Sequence, residues 1–353
     1  MTECKKALDT VIRKSRVHLY KPIQIAEILY AHRIGMNFDP LNLESYRNES
    51  KRWRDTVTER LVGRISTSSQ KFQDNLFEEN AVPPRLIKKL CEINETNNGM
   101  VEAYIYSQFK DKLSEISEAI EYVKETNYRE FDLKRFISMF YDRPGLKRSI
   151  DKIYEIVVFA LFETIVETLD VKIRLEIDPS KREIADEFIE FSRMILGIEI
   201  GLYNIDNATF YRVGVTNAAD RGLDMWANFG PAIQIKHISM DLKAATNVTT
   251  GIESDRIIIV CKTCEKWTIA SIINQLGIRV KGIVTEETLE SWYDLALRGK
   301  YSGQMGELLL DYLLEQMMRE FPSQDGSLEE FMKERGYTKE LSTWEDGTIC
   351  SFY

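Results

Sequence analysis

The sequence lacks the features that mark membrane, secreted and disulfide-stabilised proteins. No apolar run approaches the roughly 18 residues that a membrane-spanning helix needs, and the longest, Ile156–Phe162, suits a core segment. The first residues, MTECKKALDT, are polar and predict no signal peptide. Five cysteines without framework spacing indicate reduced thiols. We therefore expect a cytoplasmic protein, whose 353 residues allow one large domain or two ordinary ones.

The chain also lacks the overall positive charge that is common in nucleic-acid-binding proteins, since its formal net charge is -9. The charge is uneven, however. Residues 1–91 hold 17 Lys and Arg against 11 Asp and Glu, whereas the remainder holds 30 against 45. Because binding to phosphates depends on a local basic surface and not on the total charge, DNA binding is not excluded. The N-terminal part is the one expected to contact phosphates.

Residues 1–145 are predicted to form a helical region for DNA binding and dimerisation. Apolar residues recur there at helical spacing, and short breaks such as Asn97-Asn98-Gly99 separate the segments. The predicted helices are Lys5–Arg16, Ile23–Arg33, Lys51–Arg64, Arg85–Asn94 and Met100–Glu125.

Residues 146–321 show a different pattern, which predicts a mixed α/β sheet flanked by helices, and residues 322–353 form a C-terminal extension. The stretch VKIRLEID alternates with a period of two and predicts a half-buried strand. The run RIIIVC predicts a strand covered on both faces. The predicted helices are Ile150–Leu169, Glu183–Leu196, Thr268–Leu276 and Glu286–Leu297; the predicted strands are Val171–Asp178, Thr209–Val215, Gly222–Asn228, Ala232–Met240, Arg256–Cys261 and Arg279–Val284.

The segment GLDMWANFGPAIQIKH carries the candidate chemistry. Its turn residues, Asn228-Phe229-Gly230-Pro231, predict a hairpin with Asp224 on one strand and Gln234 and Lys236 on the other. Gln234 and Lys236 are two residues apart and share a face. A carboxylate, a carbonyl oxygen and an ammonium group around one point suit Mg²⁺-dependent phosphodiester hydrolysis, and the backbone carbonyl of Ile235 is a further candidate ligand. The alternative is that the three side chains only decorate a solvent-facing hairpin.

This hairpin resembles the D…(E/Q)-x-K signature of the PD-(D/E)XK nuclease superfamily. The resemblance implies that Asp224 is the invariant acid and Lys236 the catalytic lysine. Gln234 stands where the superfamily more often has Glu, which removes one negative charge and leaves the number of metal ions open. The helix KIYEIVVFALFETIVETL resembles the one that supplies an accessory acid before the first strand.

Three glutamates of that helix are candidates for the accessory acid. Glu155 is the first choice by its position in the early turns, Glu163 the second and Glu167 the third. Glu155 and Glu163 lie more than two turns apart, so at most one should reach the metal. Each has the alternative of being a solvated helix glutamate.

Over nearly its whole length the chain resembles the HaeII family of type II restriction endonucleases. The resemblance implies Mg²⁺-dependent double-strand cleavage at a purine-GCGC-pyrimidine palindrome. It also implies a homodimer, and a cognate DNA methyltransferase in the same system. A structure-specific repair or recombination nuclease and a non-catalytic DNA-binding module are the alternatives. The segments that carry the resemblance to the HaeII family are KSRVHLYKPIQIAEILY, GRISTSSQ, GLDMWANFGPAIQIKH, DRIIIVCK and GELLLDYLLEQMMREFPS.

The basic stretch from Lys51 to Lys71 is the candidate phosphate-binding surface. Its candidate contacts are Lys51, Arg52, Arg60 and Arg64, of which the last two lie one turn apart. The equally supported alternative is a solvated basic helix that packs through its apolar residues.

Two further features are interpreted as structural. Cys261 and Cys264 form a CxxC pair without further zinc ligands at matching spacing. His237 follows Lys236 and therefore points to the opposite face of the strand.

Overall fold

The computed structural model describes residues 2–199, 201–213, 223–249, 252, 254–276, 279–322 and 326–344. A mostly helical N-terminal region precedes a mixed sheet flanked by helices, which confirms the predicted fold class. The helices are α1 (Glu3–Lys14), α2 (Tyr20–Arg33), α3 (Arg47–Val62), α4 (Gln70–Asp74), α5 (Pro84–Thr96), α6 (Met100–Glu125), α7 (Leu133–Asp142), α8 (Ile150–Thr168), α9 (Arg182–Glu187), α10 (Ile189–Met194), α11 (Leu242–Thr249), α12 (Lys266–Leu276), α13 (Glu286–Arg298), α14 (Ser302–Glu320) and α15 (Ser327–Glu334). The strands are β1 (Lys172–Glu176), β2 (Tyr203–Asn207), β3 (Phe210–Arg212), β4 (Met225–Ala227), β5 (Ala232–Ser239), β6 (Ile257–Thr263) and β7 (Val280–Thr285).

The chain divides into two compact units. The first joins the described residues of 1–153 to those of 314–353, and the second contains those of 154–213 and 220–313. The functional division at residues 145/146 and 321/322 stays a prediction. No helix in the described part of the chain is long and apolar enough to cross a membrane.

The first unit is built around α2 and α6, which pack against each other and against α5. Between them lies a set of buried polar groups centred on Glu102, whose side chain is fully buried. Its carboxylate accepts two hydrogen bonds from Arg33 at 2.9 and 2.8 Å, one from Tyr337 at 2.5 Å and one from the Asn94 amide. The segment after α14 is thereby bonded to the N-terminal helices.

The second unit holds a five-stranded sheet in the order β3-β4-β5-β6-β7. The strands β3, β4 and β5 pair antiparallel, whereas β5, β6 and β7 pair parallel. Parallel pairing requires crossover connections, and α11 and α12 lie in these connections. The run RIIIVC is buried on both faces, as predicted: Ile259 and Val260, which point to opposite sides, are both fully buried.

Helices cover both faces of this sheet. On one face α13 packs on β6 and β7, and its Tyr293 hydroxyl donates to the carbonyl of Val157 in α8 at 2.9 Å. On the other face Ala245 of α11 and Ile272 of α12 pack with Ile257 and Ile259 of β6. The hairpin that the sequence predicts to be catalytic therefore lies in a sheet that is covered by helices on both faces. The parts of the predicted strands that fall on residues 214–222 lie outside the described residues.

The prediction for residues 171–178 is wrong in two respects. The strand forms, as β1, but it is not half-buried and it is not the first strand of the five-stranded sheet. It pairs only with β2, and four of its five residues are exposed. The helix predicted from residue 183 to 196 is divided into α9 and α10 at Phe188. The alternation of side chains reports an apolar face, but it does not report what covers that face.

The buried cluster around Glu102 generates a stability prediction. Glu102→Ala leaves the Arg33 guanidinium and the Tyr337 hydroxyl without their acceptor, and should lower the free energy of unfolding by about 3 kcal/mol. The control is Glu118→Ala, which removes an exposed ion pair with Arg143 and should cost less than about 1 kcal/mol. Urea unfolding measures both, and equal losses would contradict the role of the cluster.

Candidate active site

The predicted hairpin is confirmed as the β4–β5 pair. The turn closes through two backbone hydrogen bonds, from Ala227 to Pro231 and from Gly230 to Ala227, both 2.9 Å long. Gly230 has a φ of 111°, a conformation that residues with a Cβ rarely adopt. In the register Met225 lies opposite Ile233. The hairpin therefore brings the residue before β4 beside the middle of β5.

Asp224 occupies the position where the β4–β5 ladder ends. Its backbone is bonded on both sides, to the N–H of Val213 at 3.0 Å and to the carbonyl of Ile233 at 3.3 Å. Its carboxylate oxygen Oδ2 accepts from the N–H of Ile235 at 2.7 Å and from the side-chain amide of Gln234 at 2.5 Å. The carboxylate thus replaces a strand carbonyl as acceptor and is fixed against β5.

Gln234 is 1% exposed, so its amide is removed from water. Its nitrogen donates to Asp224, but its oxygen Oε1 has no hydrogen-bond partner among the described residues. A buried oxygen that lacks a partner is costly, on the order of 1–3 kcal/mol. This oxygen is therefore available to bind a cation or to accept a hydrogen bond from a further donor.

Lys236 lies on the same face of β5 as Gln234, as predicted. Its Nζ is 3.7 Å from Oδ2 of Asp224, and the side chain is 38% exposed. In an extended strand the N–H and the carbonyl of one residue point to the same neighbouring strand. Because the N–H of Ile235 faces Asp224, its carbonyl faces the same edge. His237, the next residue, is half-buried.

Two of the three candidate glutamates of α8 are buried against β3. Glu163 is 8% exposed and accepts from the N–H of Phe210 at 2.7 Å, and burial raises the pKa of its carboxyl group. Glu155 is 5% exposed, with its Oε2 3.6 Å from the guanidinium of Arg212. Neither is a solvated helix glutamate. Glu167 bonds the hydroxyl of Tyr312 instead.

The register of β3 separates Glu155 from Glu163. Arg212, the contact of Glu155, is paired with Met225, the residue after Asp224. Phe210, the contact of Glu163, is paired with Ala227 at the far end of β4. Glu155 is therefore bound beside the Asp224 end of the strand, and Glu163 beside the turn.

Within the described residues there is no group of three His, Cys, Asp or Glu side chains that could hold a metal ion. The oxygen atoms gathered on the hairpin are a carboxylate, an amide oxygen and a backbone carbonyl, and only the first belongs to those residue types. The CxxC pair does not supply a reactive site either. Cys261 is fully buried within β6, and burial raises the pKa of its thiol to about 12. Partial burial also raises the pKa of the Cys264 thiol.

The four basic residues predicted to bind DNA form ion pairs or hydrogen bonds within the first unit. Lys51 is 2.6 Å from a carboxylate oxygen of Asp74, and the Arg64 guanidinium donates to the carbonyl of Arg319 at 2.7 Å. Arg60 makes two hydrogen bonds to Glu334, at 2.6 and 2.8 Å. Arg52 pairs with Glu49 in the preceding turn and remains 76% exposed. The helix also packs through buried Val57 and Leu61, as the alternative interpretation had it.

The sequence interpretation missed two features beside the hairpin. Tyr211 of β3 and Trp226 of β4 stack with ring centroids 4.4 Å apart, although both remain about two-fifths exposed. Asn228 of the turn bonds Asn207 at 2.9 Å, and its side-chain oxygen accepts from Thr209, also at 2.9 Å. Both depend on pairing between strands that the sequence does not display.

Comparison with known proteins identifies the family. The sequence model of the HaeII restriction endonuclease family matches residues 4–337. The chain belongs to the HaeII restriction endonuclease family. This HaeII-family chain is 48% identical over 341 residues to the type II restriction enzyme HaeII of Haemophilus aegyptius, an alignment that covers 96% of this chain and 97% of that protein.

A second relative gives the same result. The type II restriction enzyme NgoBI of Neisseria gonorrhoeae is 49% identical over 339 residues, which cover 95% of this HaeII-family chain and 96% of that protein. No solved structure matches the chain. The predicted family and the predicted enzyme class, a type II site-specific deoxyribonuclease, are confirmed.

The bond between Gln234 and Asp224 generates a prediction about pH. Gln234→Glu removes the donor and places a second carboxylate beside the first in a buried position, which raises the pKa of the pair. In metal-free buffer the variant should lose about 1–3 kcal/mol of stability at pH 8 and regain part of it as the pH falls and one carboxyl group takes up a proton.

Thermal unfolding at about pH 8 and at about pH 5.5 measures this change against wild type. Gln304→Glu, which makes the same charge change at an exposed position, is the control and should leave the melting temperature nearly unchanged. A Gln234→Glu protein that matches this control at both pH values would contradict the described geometry.

Proposed function

We propose that this HaeII-family enzyme cuts both strands of a purine-GCGC-pyrimidine palindrome with Mg²⁺, as a cytoplasmic homodimer paired with a cognate DNA methyltransferase. The observation that carries the proposal is the contact of one carboxylate, that of Asp224, with the Gln234 amide and the Lys236 ammonium group. The high identity to two type II restriction enzymes over nearly the whole chain supports site-specific cleavage of DNA. The palindrome and the homodimer are what the resemblance to the HaeII family implies.

The donor set fits a hard divalent cation. Mg²⁺ takes oxygen ligands, and the hairpin offers the Asp224 carboxylate, the Gln234 amide oxygen and the Ile235 carbonyl. Gln234 and Ile235 both donate a hydrogen bond to that carboxylate, which keeps the three groups close together. The buried Oε1 of Gln234, without a partner in the described part of the chain, supports this assignment. Glu155 is the proposed further carboxylate, with Glu163 as the alternative. A cation bound there would offset the charge of the attacked phosphate.

The side chains of the hairpin have separate roles in this proposal. Lys236 is partly exposed, so its ammonium group can reach both the substrate phosphate and the attacking water. It stabilises the negative charge that develops on the phosphate and orients the water. Asp224 is held by two hydrogen bonds to β5, which pre-organises its carboxylate before the substrate arrives.

Contacts to DNA phosphates are proposed for Lys51, Arg52, Arg60 and Arg64. Of these four side chains, that of Arg52 is the most exposed to solvent. Exposed ion pairs such as the one between Arg52 and Glu49 contribute little, about 0–1 kcal/mol, so a phosphate can replace the glutamate. The same exchange is open to Arg60, whose partner Glu334 is half exposed.

Substitution of the hairpin residues tests the catalytic assignment. Asp224→Ala and Lys236→Ala should each lower the rate of plasmid cleavage by at least about a thousandfold, because each removes charge stabilisation that acts in the transition state. Only Asp224→Ala should also abolish the rise in melting temperature that Mg²⁺ causes, since Lys236 binds no metal.

The matched control is Lys300→Ala, an exposed lysine outside the hairpin, which should cut at the wild-type rate. Mapped plasmid ends should show discrete cuts within the palindrome. Wild-type cleavage by the Lys236→Ala protein would refute the assignment, and a smear or branch-specific nicking would identify a structure-specific nuclease instead.

Two conservative substitutions distinguish the accessory acids. Glu155→Gln should lower cleavage by at least about a hundredfold, since it removes a charge proposed to bind metal. Glu163→Gln keeps an oxygen that accepts from Phe210 and should cut within a few-fold of wild type. Cleavage rates over a range of Mg²⁺ concentrations measure both effects. The reverse order would assign the accessory role to Glu163.

A further inference from the structure

The chain between α8 and β3 is the most exposed apolar part of the described structure. Residues 169–207, termed the arm, contain β1, α9, α10 and β2. Residues 184–195 of this arm, termed the apolar helix pair, present large hydrophobic side chains to solvent. These are Ile184 (55% exposed), Phe188 (58%), Ile189 (47%), Phe191 (54%), Met194 (74%) and Ile195 (66%).

The strands of the arm are also uncovered. β1 and β2 pair with each other alone, and most of their residues are exposed. The sequence of β1 alternates as in a strand with one covered face, yet Leu175 of this strand is 45% exposed and Val171, just before it, is 36% exposed. A two-stranded hairpin is only marginally stable in water by itself. The arm therefore has the character of an element that is completed by a partner.

The charge of the arm argues against DNA as that partner. Residues 169–207 hold 9 Asp and Glu against 5 Lys and Arg. A surface that binds phosphates gains its affinity from an excess of Lys and Arg, which the arm does not have. An exposed apolar patch rimmed by charged groups of both signs is typical of a protein–protein interface.

The area of the patch fits a dimer of this chain. The six exposed side chains of the apolar helix pair present roughly 800 Å², which is about what each partner contributes to an interface of standard size. In a two-fold dimer the same patch meets itself, so that one surface supplies both sides of the interface. Cleavage of both strands of a palindrome, as in the proposed function, needs two hairpins related by such an axis.

The arm is connected directly to the catalytic hairpin. The side chain of Asn228, in the turn between β4 and β5, donates to the carbonyl of Asn207 at the end of β2. The same side chain accepts from the N–H of Thr209, just before β3. Association of two arms would therefore fix the distance between two catalytic hairpins.

We propose that the arm is the dimer interface and that the apolar helix pair packs against that of a second copy of this chain. The proposal rests on the proposed function for its choice of a second copy. It places dimerisation in the arm, whereas the sequence had predicted it for residues 1–145.

Sedimentation velocity on the full chain, alone and with an uncleaved palindromic duplex in EDTA, tests the proposal. The test variant is Phe188→Gln/Met194→Gln/Ile195→Gln, which changes only exposed side chains. The control is Leu295→Gln/Tyr301→Gln/Met318→Gln, which removes three hydrophobic side chains of similar exposure outside the arm. Circular dichroism and thermal unfolding verify that both variants are folded.

Wild type and control should be dimers, whereas the dissociation constant of the test variant's dimer should be at least tenfold higher than theirs. The same variant should lose linearisation of supercoiled plasmid at least tenfold relative to the control. Wild type that is monomeric both free and on DNA overturns the proposal. A test variant that stays dimeric also overturns it, and weaker DNA binding by such a dimer would assign the arm to DNA.

Sedimentation does not depend on cleavage. If wild type cuts no DNA but the arm substitutions still separate the dimer, the proposed function fails and the interface stands. If cleavage follows the proposed function but the arm substitutions leave the dimer intact, only the interface fails.

Discussion

The interaction on which the site depends is the hydrogen bond from the backbone N–H of Ile235 to the carboxylate of Asp224. A strand in the middle of a sheet needs an acceptor for each N–H, and at this position the acceptor is a side chain instead of a backbone carbonyl. The carboxylate is thereby held beside Gln234 and Lys236. The same oxygen atom, Oδ2 of Asp224, carries the negative charge of the candidate site and accepts the hydrogen bond from the strand.

The second constraint is the burial of two carboxylates between α8 and β3. Glu163 satisfies the N–H of Phe210, and Glu155 lies beside Arg212. Buried carboxylates are costly unless they are paired or hydrogen-bonded, which explains why each faces a donor of the edge strand. The acid beside Arg212 is the one that the strand register brings toward Asp224. The edge strand thus links the packing of the long helix to the hairpin.

Much of the secondary structure could be predicted, because periodicity is a local property. The bounds of α6 agree with the prediction at both ends, and the β4–β5 turn lies where its residues indicated. The prediction was wrong for β1, since alternation specifies a face but not its cover. It also failed to show that Arg60 is bonded to Glu334, because the two residues are remote in sequence and are joined only by the packing of α3 and α15.

The sequence by itself determined the residue types of the candidate site, the face of β5 that Gln234 and Lys236 share, and the family to which the chain belongs. The shared face follows from a period of two and the hairpin from a short turn, both of which are set within about a dozen residues. The family follows from the resemblance of motifs along the chain. Only the tertiary structure decided that Asp224 ends a ladder, that Glu155 and Glu163 are buried at different ends of β3, and that the arm is left uncovered. Burial and strand register are made by contacts between distant segments, so no local pattern contains them.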